Sequence, residues 1–329
     1  MSEHIEKLKN DFIAAARTGN AAADSTAYGN GSVANGDFSA AYGSSSTASD
    51  GGTAIGSNSL AVDDSLAAGT FSKATGAWSM ATGAYSEASG TFSTISGNFA
   101  RAAASSSIAI GFLSEALGEG SIAGGSNSKA HGVNSTGIGS GSNAIGDESI
   151  AIGADSNAVY DSTIAVGYGS VAVAQQSISI GLSSEASGPD GSISIGGNSK
   201  SQGESSIAIG YLAQVSGEAG IAIGTESYAF DQFSVAIGSL SVTDPVVSTP
   251  TITISGHAYR VAGDSPRAAF SIGTSGARGD ISGTFYRTLT NLAAGRVDGS
   301  STDATNGSQL SAVIEAINAI NARLTSAGL

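Results

Sequence analysis

Apolar and polar positions alternate along most of the chain in runs of five. Ser107-Ile108-Ala109-Ile110-Gly111 is one such run, and Ser121-Ile122-Ala123-Gly124-Gly125 opens the next fourteen residues. Aligned on the closing glycine, the run returns at Gly29, Gly43, Gly56, Gly69, Gly83, Gly97, Gly111, Gly125, Gly139, Gly153, Gly167, Gly181, Gly196, Gly210, Gly224 and Gly238. The spacing is fourteen, shortened to thirteen twice and lengthened to fifteen once. A second run, Ser-x-Ala-x-Gly, follows each first one, as at Ser72–Gly76, Ser86–Gly90 and Ser128–Gly132. Alternation over five residues predicts short β-strands, and the fixed repeat predicts a solenoid.

Two strands and two turns in fourteen residues are too little chain for a globular unit. Stacked in register, they let each backbone donor find a partner in a neighbouring rung. The expected fold is therefore an all-β solenoid, a parallel β-roll of about sixteen 14-residue rungs. At ~4.8 Å per rung it would be a rod roughly 75 Å long. Ile108 and Ile110 are expected on one side of the first strand and Ala109 on the other, with a thin Ile/Val ladder packed against Ala116 of the second. One rung would bury two large side chains, roughly 1.5–3 kcal/mol each, too little to fold alone. The positions flanking the second-strand alanine (Lys73, Glu87, Glu115, Lys129, Asn143, Asn157, Glu185, Lys200) vary freely and are read as solvated.

The pattern changes at both ends. In residues 1–20, Ile5, Leu8, Phe12 and Ala15 are spaced 3-4-3, which predicts an amphipathic helix that caps or docks the rod. Residues 21–243 hold the repeats. Residues 244–286 contain two alternating runs, Thr251–Ile254 and His257–Val261, around Ser255-Gly256, a hairpin signal, then Phe270–Gly273 as a last rung. In residues 310–329, Leu310, Val313, Ile317, Ile320 and Leu324 step 3-4-3-4, the a/d seam of a coiled coil. Such a helix is too short to be stable by itself. Asn318 and Asn321 lie beside that seam.

Residues 287–309 connect the two. Arg287-Thr288-Leu289-Thr290-Asn291-Leu292-Ala293-Ala294-Gly295 and Ser301-Thr302-Asp303-Ala304-Thr305-Asn306-Gly307-Ser308-Gln309-Leu310 closely resemble the neck of YadA-like trimeric autotransporter adhesins, a module also found in phage fibre proteins. The Ser-x-Ala-x-Gly rungs resemble the head repeats of that family. The resemblance covers roughly residues 21–320. It implies a homotrimer of parallel, left-handed β-rolls whose necks cross to a neighbour and feed a coiled coil. Asn291, Gly295, Asp303, Asn306 and Gln309 would then be the neck positions, and Leu310, Val313, Ile317, Ile320 and Leu324 the trimerisation seam.

Composition narrows the function classes. The 329 residues include 47 glycines and no cysteine, which removes disulfides and zinc–thiolate sites. Net charge is −14, and residues 21–243 carry 18 acidic side chains against 4 basic ones. Such a surface repels nucleic acid and anionic membrane. No stretch approaches membrane-spanning length. The three histidines, His4, His131 and His257, are scattered, so no metal site is expected. Asp63-Asp64 is an adjacent acidic pair, read as lying on a strand and pointing to opposite faces. Glu87 and Glu115 stand two rungs apart, ~10 Å. With no nucleophile triad or phosphate loop, no catalytic residue and no cofactor are expected. Tyr28, Tyr42, Phe71, Trp78 and Phe92 cluster in the early rungs, as local packing or a cap, or else as a sugar-stacking platform.

The chain opens Met-Ser-Glu-His, without the apolar core of a secretory signal. That favours a non-enzymatic trimeric fibre of a phage virion, a tail or appendage protein attached through its N-terminal helix and binding a host-surface receptor. The alternative is the head and neck of a bacterial adhesin at the outer-membrane surface, binding host matrix or cells.

Overall fold

A computed structural model describes residues 20–22, 24–276 and 283–327. The helix expected around Ile5, Leu8, Phe12 and Ala15 lies outside these residues.

The repeats form a parallel β-roll. Two-residue strands build one 16-stranded sheet, from Asn20–Ala21 to Tyr228–Ala229. Three-residue strands build the other, from Thr26–Tyr28 to Val235–Ile237, with Phe270–Ser271 added at its end. Each strand pairs in register with its equivalent one rung on: Ala109 with Ala123, Glu115 with Lys129. The turns join the same ladder. Leu113 donates its N–H to Asn98 O at 3.1 Å and Gly120 to Ser105 O at 3.0 Å. A rung thus satisfies its backbone through its neighbours, which is why the fold needs repetition rather than a large core.

Each letter of Ser-x-Ala-x-Gly has a mechanical reason. The serine closes the turn: in Ser72, Ser86 and Ser156, Oγ donates 2.8 Å to the carbonyl three residues back. The alanine points inward. The glycine marks the corner where two rungs touch; at Gly153, φ is +128° and an added Cβ would lie 2.5 Å from Gly167 O.

The interior overturns the expected Ile/Val ladder. Ala109 and Ala116 are both fully buried, whereas Ile110 is 50% exposed. Column after column, the middle residue of each strand is inside: Ala74, Ala88, Ala102 and Ala130 of one sheet, Ala67, Ala81, Ala123 and Ala151 of the other. Fourteen residues per turn leave a bore only wide enough for methyl against methyl, so the large residues of the first strand face outward. Larger interior residues are matched by smaller neighbours. Val215 replaces an alanine, and the serines on either side of it become Ala213 and Gly220; a Cβ on Gly220 would meet Val215 Cγ1 at 2.7 Å. Ile95 is likewise accompanied by Ala100 in a serine position. Where serine replaces alanine inside, it pairs with a turn serine, Ser179 with Ser184 at 2.7 Å and Ser201 with Ser206 at 2.6 Å.

At the end of the roll, Thr251–Ile254 and His257–Arg260 pair antiparallel, with Thr251 opposite Arg260. All eight residues are exposed. The chain then returns: Val235 N donates to Ala269 O at 2.8 Å and Val242 N to Gly273 O at 2.8 Å. The last helix, α1 (Gly307–Ser326), starts at a capping box in which Asn306 and Gln309 satisfy each other's backbone.

Candidate functional site

With alanine and serine filling nearly all of the interior, whatever the protein recognises must meet the outward positions. These fall into two faces and two edges, each with its own chemistry.

The three-residue sheet presents isoleucine. Ile108, Ile122, Ile150, Ile164 and Ile178 stack in one outward column, and Ile110, Ile138, Ile152, Ile180, Ile223 and Ile237 in the other. The second column is exposed throughout these positions. Toward the N-terminus the same columns hold Thr82, Thr94 and Ser96. An apolar stripe running over many rungs is an interaction surface rather than scattered exposed apolar residues.

The opposite sheet presents alternating charge. Lys73, Glu87, Arg101, Glu115 and Lys129 occupy five successive rungs. Arg101 therefore stands between Glu87 and Glu115, its Nε 3.9 Å from Glu87 Oε2. His131 Nε2 lies 3.2 Å from Glu115 Oε2. Further along, Lys200 Nζ is 4.0 Å from Glu185 Oε2, and Asn143 Nδ2 donates to Asn157 Oδ1 at 2.9 Å. Of the side chains read as solvated, Glu87, Glu115, Asn143, Asn157, Glu185 and Lys200 thus have a partner on a neighbouring rung.

Both edges carry aromatic rings and acids at their turns, in different arrangements. Phe71, Tyr85 and Phe99 occupy the same left-handed turn position in successive rungs, φ +56°, +57° and +59°. Their rings stack with centroids 5.0 Å apart, and Phe112 meets Phe99 edge-on at 5.9 Å. Of the aromatic residues singled out in the early rungs, only Phe71 joins this stack, where the rings cover one another's faces; Tyr28 and Tyr42 are exposed outside it. Trp78 and Phe92 lie on the other edge, Trp78 61% exposed. On that edge the acids brace turns. Asp147 Oδ1 accepts the Val133 N–H at 2.8 Å, and Asp161 Oδ1 accepts the Asp147 N–H at 2.9 Å. Asp63 and Asp64 are turn residues too, φ +49° and +56°, not strand neighbours as expected. Among the described residues no group of three or more His, Cys, Asp and Glu could hold a metal ion. No helix among them is long and apolar enough to cross a membrane.

Four of the residues singled out from the sequence, Gly295, Asp303, Asn306 and Gln309, are held by hydrogen bonds. Gln309 clasps Gly295, its Oε1 accepting the Gly295 N–H at 3.1 Å and its Nε2 donating to Gly295 O at 2.6 Å. Asn306 Nδ2 donates to Leu292 O at 3.1 Å. Asp303 takes Arg296 Nε at 3.0 Å and the Arg296 N–H at 3.1 Å. The Arg296 guanidinium holds the Asp303 carboxyl below its ordinary range, while Asp303 raises Arg296. The Ser300 hydroxyl and N–H likewise lower Asp298. Asn291 adopts φ +60° at the bend. Leu310, Val313, Ile317, Ile320 and Leu324 are all exposed, and α1 buries none of its residues.

Sequence reasoning missed Arg287. Its guanidinium donates to Ser239 O, Ile272 O and Ser241 Oγ, and lies 4.5 Å from the Phe285 ring. It closes carbonyls that the last rung would otherwise leave open. Nothing local in the sequence marked it, since Arg287 stands fourteen residues past Gly273, at the opening of the neck.

Comparison with known proteins follows the same division. Segments 22–46, 63–86, 102–128, 130–156, 161–189, 190–213 and 216–241 match the family described as the YadA head domain repeat, together more than half the chain. Residues 288–328 match the coiled stalk of trimeric autotransporter adhesins. The autotransporter adhesin BtaE of Brucella suis is 47% identical over 85 residues, 26% of this chain and 10% of that protein. The chain thus aligns with only about a tenth of that relative. A solved C-terminal YadA-like domain from Burkholderia pseudomallei is 39% identical, covering 35% of this chain and 51% of that one, with a TM-score of 0.31. The solved collagen-binding domain of the Yersinia adhesin YadA is 28% identical, covering 73% and 85%, with a TM-score of 0.29.

Proposed function

The chain belongs to the YadA-like head family, and from that premise we propose that it works as a non-enzymatic, trimeric adhesive rod at a bacterial outer-membrane surface or outside the cell. The observation that carries the assembly is the isoleucine stripe. Two columns of half-exposed isoleucine leave apolar surface in water at roughly 25 cal/mol per Å². Further copies of the same chain, in the same register, are the partners that match it rung for rung. The seam of α1 supports the same number of copies, with isoleucine at Ile317 and Ile320 suiting three strands. The division into head 21–243, hairpin and last rung 244–286, neck 287–309 and coiled-coil start 310–329 is part of this proposal.

The virion-fibre reading gains nothing from the comparisons, whereas the adhesin reading gains a curated relative named as an adhesin. Association through the stripe turns the alternating-charge face outward, where it would meet a ligand. Sedimentation and native mass measurement are expected to return a trimer, and Ile152→Asp with Ile180→Asp to return folded single chains. A wild-type chain that sediments as a folded monomer defeats the assembly. Beads coated with the trimer are expected to adhere to at least one immobilised matrix protein, collagen included; no adhesion across such a panel defeats the adhesive role.

A further inference from the structure

We propose that a cleft on the alternating-charge face, formed by Asn127, Lys129, Asn143, Asp155 and Asn157, binds an uncharged sugar through its hydroxyls. The cleft has a volume of about 390 Å³. It deepens the adhesive reading by naming a ligand class, and rests on that reading only for its outward placement.

Three observations single this place out. The first is its shape. Gly141 stands between Asn127 and Asp155 in the turn column, and its missing side chain makes the dent. A Cβ there would lie 2.6 Å from Asp155 Oδ1. The second is uncommitted polarity. Over much of the face charges pair across rungs, as Glu87 does with Arg101 and Glu185 with Lys200, Lys73 being an exception. Here Glu115 is taken by His131, and Lys129 makes no ion pair among the described residues. The Asp155 carboxylate has no hydrogen-bond partner among them either. The third is an orphan acceptor. Asn143 gives its Nδ2 to Asn157, and its Oδ1 is left sheltered from solvent without a donor. Such an atom is costly unless something supplies a hydrogen.

The ligand class follows from this inventory. Lys129, Asn143 and Asn157 stand on successive rungs, so the polar row runs ~10 Å along the rod, about the length of a disaccharide. Amides both donate and accept, a carboxylate accepts two hydroxyls, and an ammonium donates to a hydroxyl oxygen. Solvent does not reach Asn143 Oδ1 as it stands, so the Asn143 amide must turn toward the cleft for a hydroxyl beside Lys129 to supply the donor it lacks. One ammonium and one carboxylate balance, which gives no net attraction for an ion, and the chain's −14 repels polyanions. Val171 closes the far end with an apolar surface.

The test uses the full chain with lactose, cellobiose and mannobiose, followed by ligand-observed NMR and calorimetry. At least one is expected to bind saturably in the millimolar range. Asp155→Ala and Asn157→Ala are expected to weaken it about tenfold, as loss of one hydrogen bond to a charged or sheltered group does. Gly141→Ala, which fills the dent, is expected to abolish it. Circular dichroism and sedimentation on the same samples separate a lost sugar site from a lost fold or assembly. Absence of saturable binding by all three sugars overturns the proposal, as does binding that the variants leave unchanged. Preferential binding of a glucuronate-containing disaccharide or of a peptide overturns the ligand class.

Discussion

Ala109 and Ala116 are fully buried within a single chain, whereas Leu310, Val313, Ile317, Ile320 and Leu324 of α1 are 43–60% exposed. The roll hides methyls; the helix displays the largest apolar side chains it has. The difference is one of where partners come from. A rung finds its neighbours fourteen residues away in its own chain. The seam of α1 has no counterpart in that chain, so under the proposed assembly it depends on other copies. Apolar size is therefore a poor guide to burial here, and repetition a good one.

Substitutions that separate the two kinds of dependence should differ in scale. The largest effect is expected at a rung corner. Gly153→Val puts a branched side chain at φ +128° and 2.5 Å from the next rung's carbonyl, and should cost more than ~3 kcal/mol. Urea unfolding followed by circular dichroism would show it, and a midpoint unchanged from wild type would refute the corner argument. In α1, Ile317→Asp with Ile320→Asp should leave that unfolding transition of the roll in place. It should instead weaken assembly by ~100-fold or more in sedimentation equilibrium, if each seam side chain contributes on the scale of an interface hot spot.

Smaller effects probe packing within the roll. Val215→Ala should destabilise by ~2 kcal/mol and Gly220→Ser by ~1–3 kcal/mol, the first leaving a void and the second a clash. Combined, they restore the ordinary alanine–serine pairing, so the double variant should be more stable than the sum of the two predicts. Additive losses would mean that Val215 and Gly220 do not compensate each other.

The smallest effect is at the neck. Arg296 lowers the pKa of Asp303, so their pairing is fully present above the ordinary carboxylate range, about pH 4, and is lost as pH falls through the depressed value. Both side chains are at the surface, so the effect is local. Exchange of the Arg296 amide hydrogen, which Asp303 accepts, should accelerate across that acidic window relative to neighbouring amides once intrinsic rates are removed. Asp303→Asn should remove the pH step.

Much of this was legible from spacing. The glycine period gave the rungs their number and register, and Ser255-Gly256 between alternating runs marked the hairpin. The 3-4-3-4 step from Leu310 to Leu324 marked α1, whereas its start at the Asn306–Gln309 capping box came only from the structure. Which side of the first strand faces inward was misread. Ile108 and Ile110 were expected inside because large apolar residues are usually buried. The better signal was Ala109 and its equivalents, replaced only by Gly137, Ser179, Ser194, Ser271 or Ile95, because the inward position is the one whose size is constrained. Arg287 and the pairing of Glu115 with His131 were not legible, since both join residues from different rungs or modules.

Taken alone, the order of residues determined the repeat, the parallel register and the final helix, because each follows from contacts at a fixed distance along the chain. Only the folded molecule decided which side of each strand is the inside. The bore of a fourteen-residue turn admits methyl and hydroxyl groups and little else, a restriction set by closing the turn rather than by any residue within it. The same closure placed isoleucine on one outer face and charge on the other, and so determined which surfaces are left for other molecules to meet.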